Sequence, residues 1–345
     1  MSLPALIAIL LGLSLTAYAL FAGADFGAGI LDLLAGSGDT ERNAIAATIG
    51  PVWEANHVWL IFTLVVLWTG FPTAFESLFS TLFIPLSLAA LGIVFRGAGF
   101  AFQHTARRAR GRAVAAYFFG LASLLTPFFM GTVVGAIAGE RVPVGNEAGN
   151  LVTSWLNPLS LVLGALFVAT GAYLSAVFLV SEARRAGTPD IERYFVNRAL
   201  GAALAAGALA VAGLVALHQD GRFVFDGLKG DALPLTIASF ICGLAVLVLL
   251  KRDARRGARP LAAGAVVAVI WAWGVAQHPY LLPQVLTIDA AAAPGTTLTA
   301  VLIVFGIAVV VVLPALGLLF TLVQRNLVEE TPRPAHEANP AEARH

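Results

Sequence analysis

Residues 3–34 read LPALIAILLGLSLTAYALFAGADFGAGILDLL, a largely apolar run whose only charged residues are Asp25 and Asp32. About 20 apolar residues cross the hydrocarbon of a bilayer, so this stretch predicts a membrane-spanning helix. A carboxyl group in the middle of such a run is costly and therefore marks function. Similar apolar runs recur as far as Val323, separated only by short polar connections. The 345 residues are 59% hydrophobic and 12% charged, too few polar groups to cover a soluble surface. The fold class is an all-α integral membrane protein.

Nine spans are predicted, near Leu3–Leu34, Val52–Thr69, Glu76–Phe102, Ala113–Ala138, Leu156–Val180, Tyr194–Leu217, Leu233–Leu250, Leu261–Ala276 and Leu298–Val323. Alternate connections hold Arg42, then Arg107, Arg108, Arg110 and Arg112, then Arg184, Arg185, Arg193 and Arg198, then Lys251, Arg252, Arg255, Arg256 and Arg259. With Arg325, Arg333 and Arg344, 17 of the 21 Lys and Arg fall on one side. The excess marks the cytoplasmic face, placing the N-terminus outside and the C-terminus inside. Residues 1–140 hold helices one to four and 141–290 helices five to eight, two four-helix groups; 291–330 hold a ninth peripheral helix and 331–345 a disordered cytoplasmic tail. The N-terminal run lacks a basic leader and a small-residue cleavage site, so it reads as a retained first span.

The net charge of +1 is segregated by loop and implies no nucleic-acid partner. Cys242, the only cysteine, excludes an internal disulfide and thiolate-held clusters and reads as a small core residue. The six tryptophans, Trp53, Trp59, Trp68, Trp155, Trp271 and Trp273, mostly fall near helix ends, where amphipathic rings favour the headgroup region.

Asp25 lies nine residues before the cytoplasmic end of its helix, roughly 14 Å deep at 1.5 Å per residue. Glu54 enters helix two from the same side, about 7 Å down, so the two acids form successive levels of a ladder from the cytoplasm. Carboxyl groups out of water exchange protons near neutrality, as a proton carrier requires. The plainer alternative has Asp25 hydrogen-bonding a neighbouring helix and Glu54 wet at the interface. Asp32 shares the face of Asp25 but reads as a solvated helix end. Arg96 either snorkels to the headgroups or pairs with a carboxylate or a cofactor propionate. Glu76 suits the positive end of the third helix as a cap.

Glu54 and His57 have the Glu-x-x-His spacing of di-iron carboxylate helices, but the chain holds no second copy. His57 beside Asn56 reads as a hydrogen-bonding residue. His104, His218, His278, Met1 and Met130 sit at ends or apart and form no facing histidine pair for a haem. The segment Gln277-His278-Pro279-Tyr280-Leu281-Leu282-Pro283 is too proline-rich for helix and too apolar to be freely solvated.

Four words in order, Gly23-Ala24-Asp25-Phe26-Gly27-Ala28-Gly29, Pro51 to Leu60, Phe95-Arg96-Gly97-Ala98-Gly99-Phe100, and Gln277 to Tyr280 with Leu286-Thr287-Ile288-Asp289 and Ala291-Ala292-Ala293-Pro294, carry a resemblance spanning nearly the whole chain. Together they resemble subunit II of the bd-type quinol oxidases, cyanide-insensitive relatives included. The resemblance implies a heterodimer in a bacterial cytoplasmic (inner) membrane, in which a haem-bearing subunit I holds haems b and d, oxidises quinol on the outer side and reduces oxygen to water. This chain would bind no haem iron itself; it can hold a structural quinone or lipid, and small single-helix accessory subunits can join. Asp25 matches the family's helix-one acid. Glu54 matches a position that is aspartate in some relatives, and its extra methylene changes the reach. The expected role is a cytoplasmic proton route through Glu54 and Asp25, with His57 and Arg96 supporting. Two rivals stand beside it: a stand-alone proton-coupled transporter, and a structural subunit with no proton role.

Overall fold

The computed structural model describes residues 2–35, 40–42, 44–45, 53–105, 109–146, 149–252 and 257–324. In chain order the elements are α1 (Leu3–Leu34), α2 (Trp53–Gly70), α3 (Pro72–Thr81), α4 (Phe83–Thr105), α5 (Ala109–Ala138), α6 (Pro158–Ala186), α7 (Pro189–Asp220), α8 (Arg222–Lys229), α9 (Leu233–Lys251), α10 (Ala258–Gln277), β1 (Tyr280–Leu282), β2 (Leu286–Thr287), α11 (Ile288–Ala291) and α12 (Gly295–Gln324). Proline opens α1, α3, α6, α7 and α9, where its missing N–H leaves no helical bond unmade. Side-chain oxygens of Ser2 and Asn157 cap α1 and α6 by accepting from Ala5 N and Ser160 N. Gly187, at φ 68°, ends α6 in the left-handed conformation that suits glycine.

Among the described residues, eight helices are long and apolar enough to cross a membrane: α1, α4, α5, α6, α7, α9, α10 and α12. A ninth span results if α2 and α3, bent by 117° at Phe71, count as one. The third span differs from expectation. Instead of running from Glu76, the helix breaks at Leu82, so that α3 and α4 are separate. Pro85 supplies the reason, because its ring excludes the carbonyl four residues back, that of Thr81, from a continuous helix. Glu76 is exposed on α3 and stands beyond its first turn, which contains no acid; the capping role falls away.

The residues up to Leu298 form one compact unit and those from Thr299 a second, which holds the remainder of α12. In the first unit α6 is central, packing against α1, α5, α7 and α10. Its residues Leu174, Ala176 and Val177 are fully enclosed with Phe195 and Ala199 of α7, Val246 of α9 and Ala262 of α10. The basic end of this unit carries ion pairs from Arg184 to Glu192 and from Arg259 to Glu182. At the opposite end three distant stretches are joined: Ala293 N donates to Gly70 O at 2.9 Å and Gly145 N to Ser77 Oγ at 3.0 Å. There too the segment after Gln277 is non-helical, as expected. β1 and β2 pair antiparallel, Tyr280 opposite Thr287 and Leu282 opposite Leu286, with an irregular register between. Cys242 is half-buried on α9 rather than enclosed. The tail from Thr331 lies outside the described residues.

Candidate functional site

The polar residues of four helices converge within the first unit. Tyr18, Asp25 and Asp32 are spaced by seven and share one face of α1. Asp25 is 8% exposed, and it faces Arg96 of α4, which is 1% exposed. Arg96 Nη2 lies 3.6 Å from Asp25 Oδ2, an ion pair a little longer than a direct hydrogen bond. Nη2 also donates to the backbone carbonyl of Asp25 at 3.1 Å, and Nε donates to Ser123 Oγ of α5 at 3.1 Å. The rings of Phe26 and Phe119 flank the guanidinium, each centroid 4.9 Å from Cζ, a cation–π arrangement that gains strength away from water. From α2, Asn56 Nδ2 donates to Asp25 Oδ2 at 3.2 Å and to Phe21 O at 3.5 Å.

Of the two readings of Arg96, the structure selects pairing with a carboxylate. Snorkelling fails because the side chain is enclosed instead of reaching toward the chain's ends. His57 stands beside the pair, its ring 6.2 Å from Phe26 and 6.3 Å from Tyr18. Glu54 lies on α2, but its side chain, like that of His104, falls outside those described. Asp32 is not a freely solvated end: its carboxylate is 16% exposed and sits 3.9 Å from Arg42 Nε. His218 and His278 are exposed, and Met130 packs beside Tyr18, Ala22 and Phe26. Among the described residues no three His, Cys, Asp or Glu side chains gather as a metal site.

Sequence reasoning missed Ser123, Phe119 and the role of Asn56. A serine in the apolar run of α5 was a usable signal, since a buried hydroxyl needs a partner; Ser123 Oγ donates to Phe119 O at 2.7 Å and accepts from Arg96. Gly29 makes room for it, because a Cβ there would stand 2.2 Å from Ser123 Oγ. Between α1 and α2, farther from Asp25, Thr63 Oγ1 donates to Ser14 Oγ at 3.0 Å. Chemically, the site offers one carboxyl group that can gain and lose a proton beside a guanidinium that keeps its own.

The family model described as cytochrome bd terminal oxidase subunit II matches residues 3–323 of the chain. The "Cytochrome bd ubiquinol oxidase subunit 2" of Bacillus subtilis (strain 168) is 24% identical over 231 residues, 67% of each chain. The "Cytochrome bd-I ubiquinol oxidase subunit 2" of Escherichia coli (strain K12) is 28% identical over 178 residues, 50% of this chain and 46% of that protein. The "Putative cytochrome bd menaquinol oxidase subunit II" of Bacillus subtilis (strain 168) is 23% identical over 90% of this chain and 92% of its own. Among solved structures, a chain of the bd oxidase from Geobacillus thermodenitrificans superposes with a TM-score of 0.74 at 26% identity, covering 93% of this chain and 98% of that one.

Proposed function

The chain belongs to the cytochrome bd terminal oxidase subunit II family, and on that premise we propose that it is the haemless subunit of a quinol:oxygen oxidoreductase that conducts protons from the cytoplasm. The observation that carries the reading is the enclosed Asp25–Arg96 pair, tied to α2 by Asn56 and to α5 by Ser123. A lone buried carboxylate would be prohibitively costly. A guanidinium beside it makes the ionised form tolerable, while the neutral form remains accessible, so the carboxyl can be charged and discharged in place. Glu54, nearer the basic end on α2, takes protons from the cytoplasm and Asp25 passes them inward; His57 neighbours the relay and Arg96 sets its field. Haems b and d, quinol oxidation and oxygen chemistry belong to the partner subunit I in a bacterial inner membrane. The orientation with the N-terminus outside, the two four-helix groups with a ninth helix beside them, a bound quinone or lipid and single-helix accessory subunits are parts of the same proposal. A stand-alone transporter is not favoured by the family match.

The test uses the purified two-subunit complex. Asp25→Asn removes the titrating group while keeping the shape, and oxygen uptake with excess quinol is expected to fall more than tenfold with the haem spectrum intact. Asp25→Glu restores part of the rate. Wild-type turnover in Asp25→Asn, with full haem content, refutes the proton role and leaves a structural subunit.

A further inference from the structure

The fixed and the changing partner of the buried pair can be told apart by how each is held. The guanidinium of Arg96 gives hydrogen bonds of 3.1 Å to two neutral oxygens, Ser123 Oγ and the backbone carbonyl of Asp25, and is flanked by Phe26 and Phe119. Its approach to the Asp25 carboxylate, at 3.6 Å, is longer than either. Hydrogen bonds to neutral acceptors and aromatic faces persist whatever the charge on Asp25. Of these two acceptors, the Ser123 hydroxyl lies on α5, outside the helix that carries Asp25. Ser123 is oriented by its own bond to Phe119 O and is seated against Gly29, where no side chain could stand.

We propose that Ser123 is a positioning residue: it holds the Arg96 guanidinium in register while the carboxyl of Asp25 gains and loses its proton. The inference rests on the proton-route reading above and adds to it the group that keeps the positive charge from following the negative one. Without the Ser123 hydroxyl, the guanidinium loses its hydrogen bond to α5 and can close its 3.6 Å approach to the carboxylate, favouring the ionised form. Among the described residues, the titratable groups that face this pair are Tyr18 from α1 and His57 from α2.

The experiment compares Ser123→Ala, Ser123→Cys and Asp25→Asn in the purified two-subunit complex, reading quinol-driven oxygen uptake against pH together with the haem spectrum. Ser123→Ala is expected to turn over about tenfold more slowly, the scale of one hydrogen bond to a charged group, with haem content retained and a pH profile that no longer superimposes on the wild type. Cysteine, similar in shape but a weak acceptor, falls between. If alanine prevents assembly, cysteine decides on the same two readouts. Rates and pH profiles matching wild type for the assembled Ser123 variants overturn the inference. Should that happen while Asp25→Asn is impaired, only the role of Ser123 fails; if Asp25→Asn also matches wild type, the proton-route reading fails with it.

Discussion

Replacing Gly27 by alanine is the smallest change that reaches the site through the fold. Gly27 of α1 crosses α6 at Gly171, and a Cβ at position 27 would stand 1.9 Å from the Gly171 carbonyl oxygen and 2.8 Å from Ser175 Cβ. Ordinary contact begins near 3.4 Å, so the two helices must part by about 1.5 Å or twist, and neither backbone has a flexible side chain to yield. Overpacking of this kind costs roughly 1–3 kcal/mol, and helix association in lipid depends on just such close backbone approach. Position 27 is two residues from Asp25, about 200° round the helix, so the shift of α1 also changes the spacing between the carboxyl and Arg96. Gly201 of α7 is the control, since a Cβ there meets nothing within 4 Å. Alanine at that position is neutral or, from helix propensity alone, stabilising by up to ~1 kcal/mol. Thermal inactivation of the detergent-solubilised complex, followed by loss of haem absorbance and by size-exclusion profile, reads the difference. The expected order is Gly201→Ala equal to or above wild type and Gly27→Ala well below it. Equal stability of the two variants refutes the close crossing of α1 and α6.

Two further outcomes follow from the charges. Arg96→Gln leaves Asp25 buried without its guanidinium, a loss of about 3–5 kcal/mol for a broken buried pair; the yield of assembled complex should collapse and recover in the Asp25→Asn/Arg96→Gln double variant, measured by haem per membrane protein. Glu76→Gln, on the exposed face of α3, should change stability by no more than about 0.5 kcal/mol, which the same inactivation assay would register as an unshifted curve.

The spans were legible because crossing a bilayer demands length and apolarity, and both are written in the one-dimensional sequence. Leu3–Leu34 and Leu233–Lys251 match the expected limits within a residue. The break at Leu82 was not read, because the run Phe79-Ser80-Thr81-Leu82-Phe83-Ile84 is uniformly apolar or neutral, and composition is silent about direction. Pro85, three residues on, carried the missing signal. Asp25 and Arg96 stood out by their cost in hydrocarbon. That they meet could not be read, since it depends on how α1 and α4 are rotated about their own axes and on the glycines that let α1, α5 and α6 approach. Ser123 and Asn56 were harder still: a serine or an asparagine in an apolar run signals that a partner is needed, but only the fold reveals which one.

The bend at Phe71 carries a consequence for biosynthesis. Turning the chain by 117° frees the Gly70 carbonyl from helical bonding, and the amide it receives belongs to Ala293, a residue translated more than two hundred positions later. In an apolar surrounding an unanswered carbonyl is expensive. The early hairpin of α2 and α3 therefore reaches its final shape only after α10 and the β1–β2 ribbon have emerged. Synthesis interrupted before that point would leave an inserted but unfinished product, a ready mark for the proteases that survey the membrane.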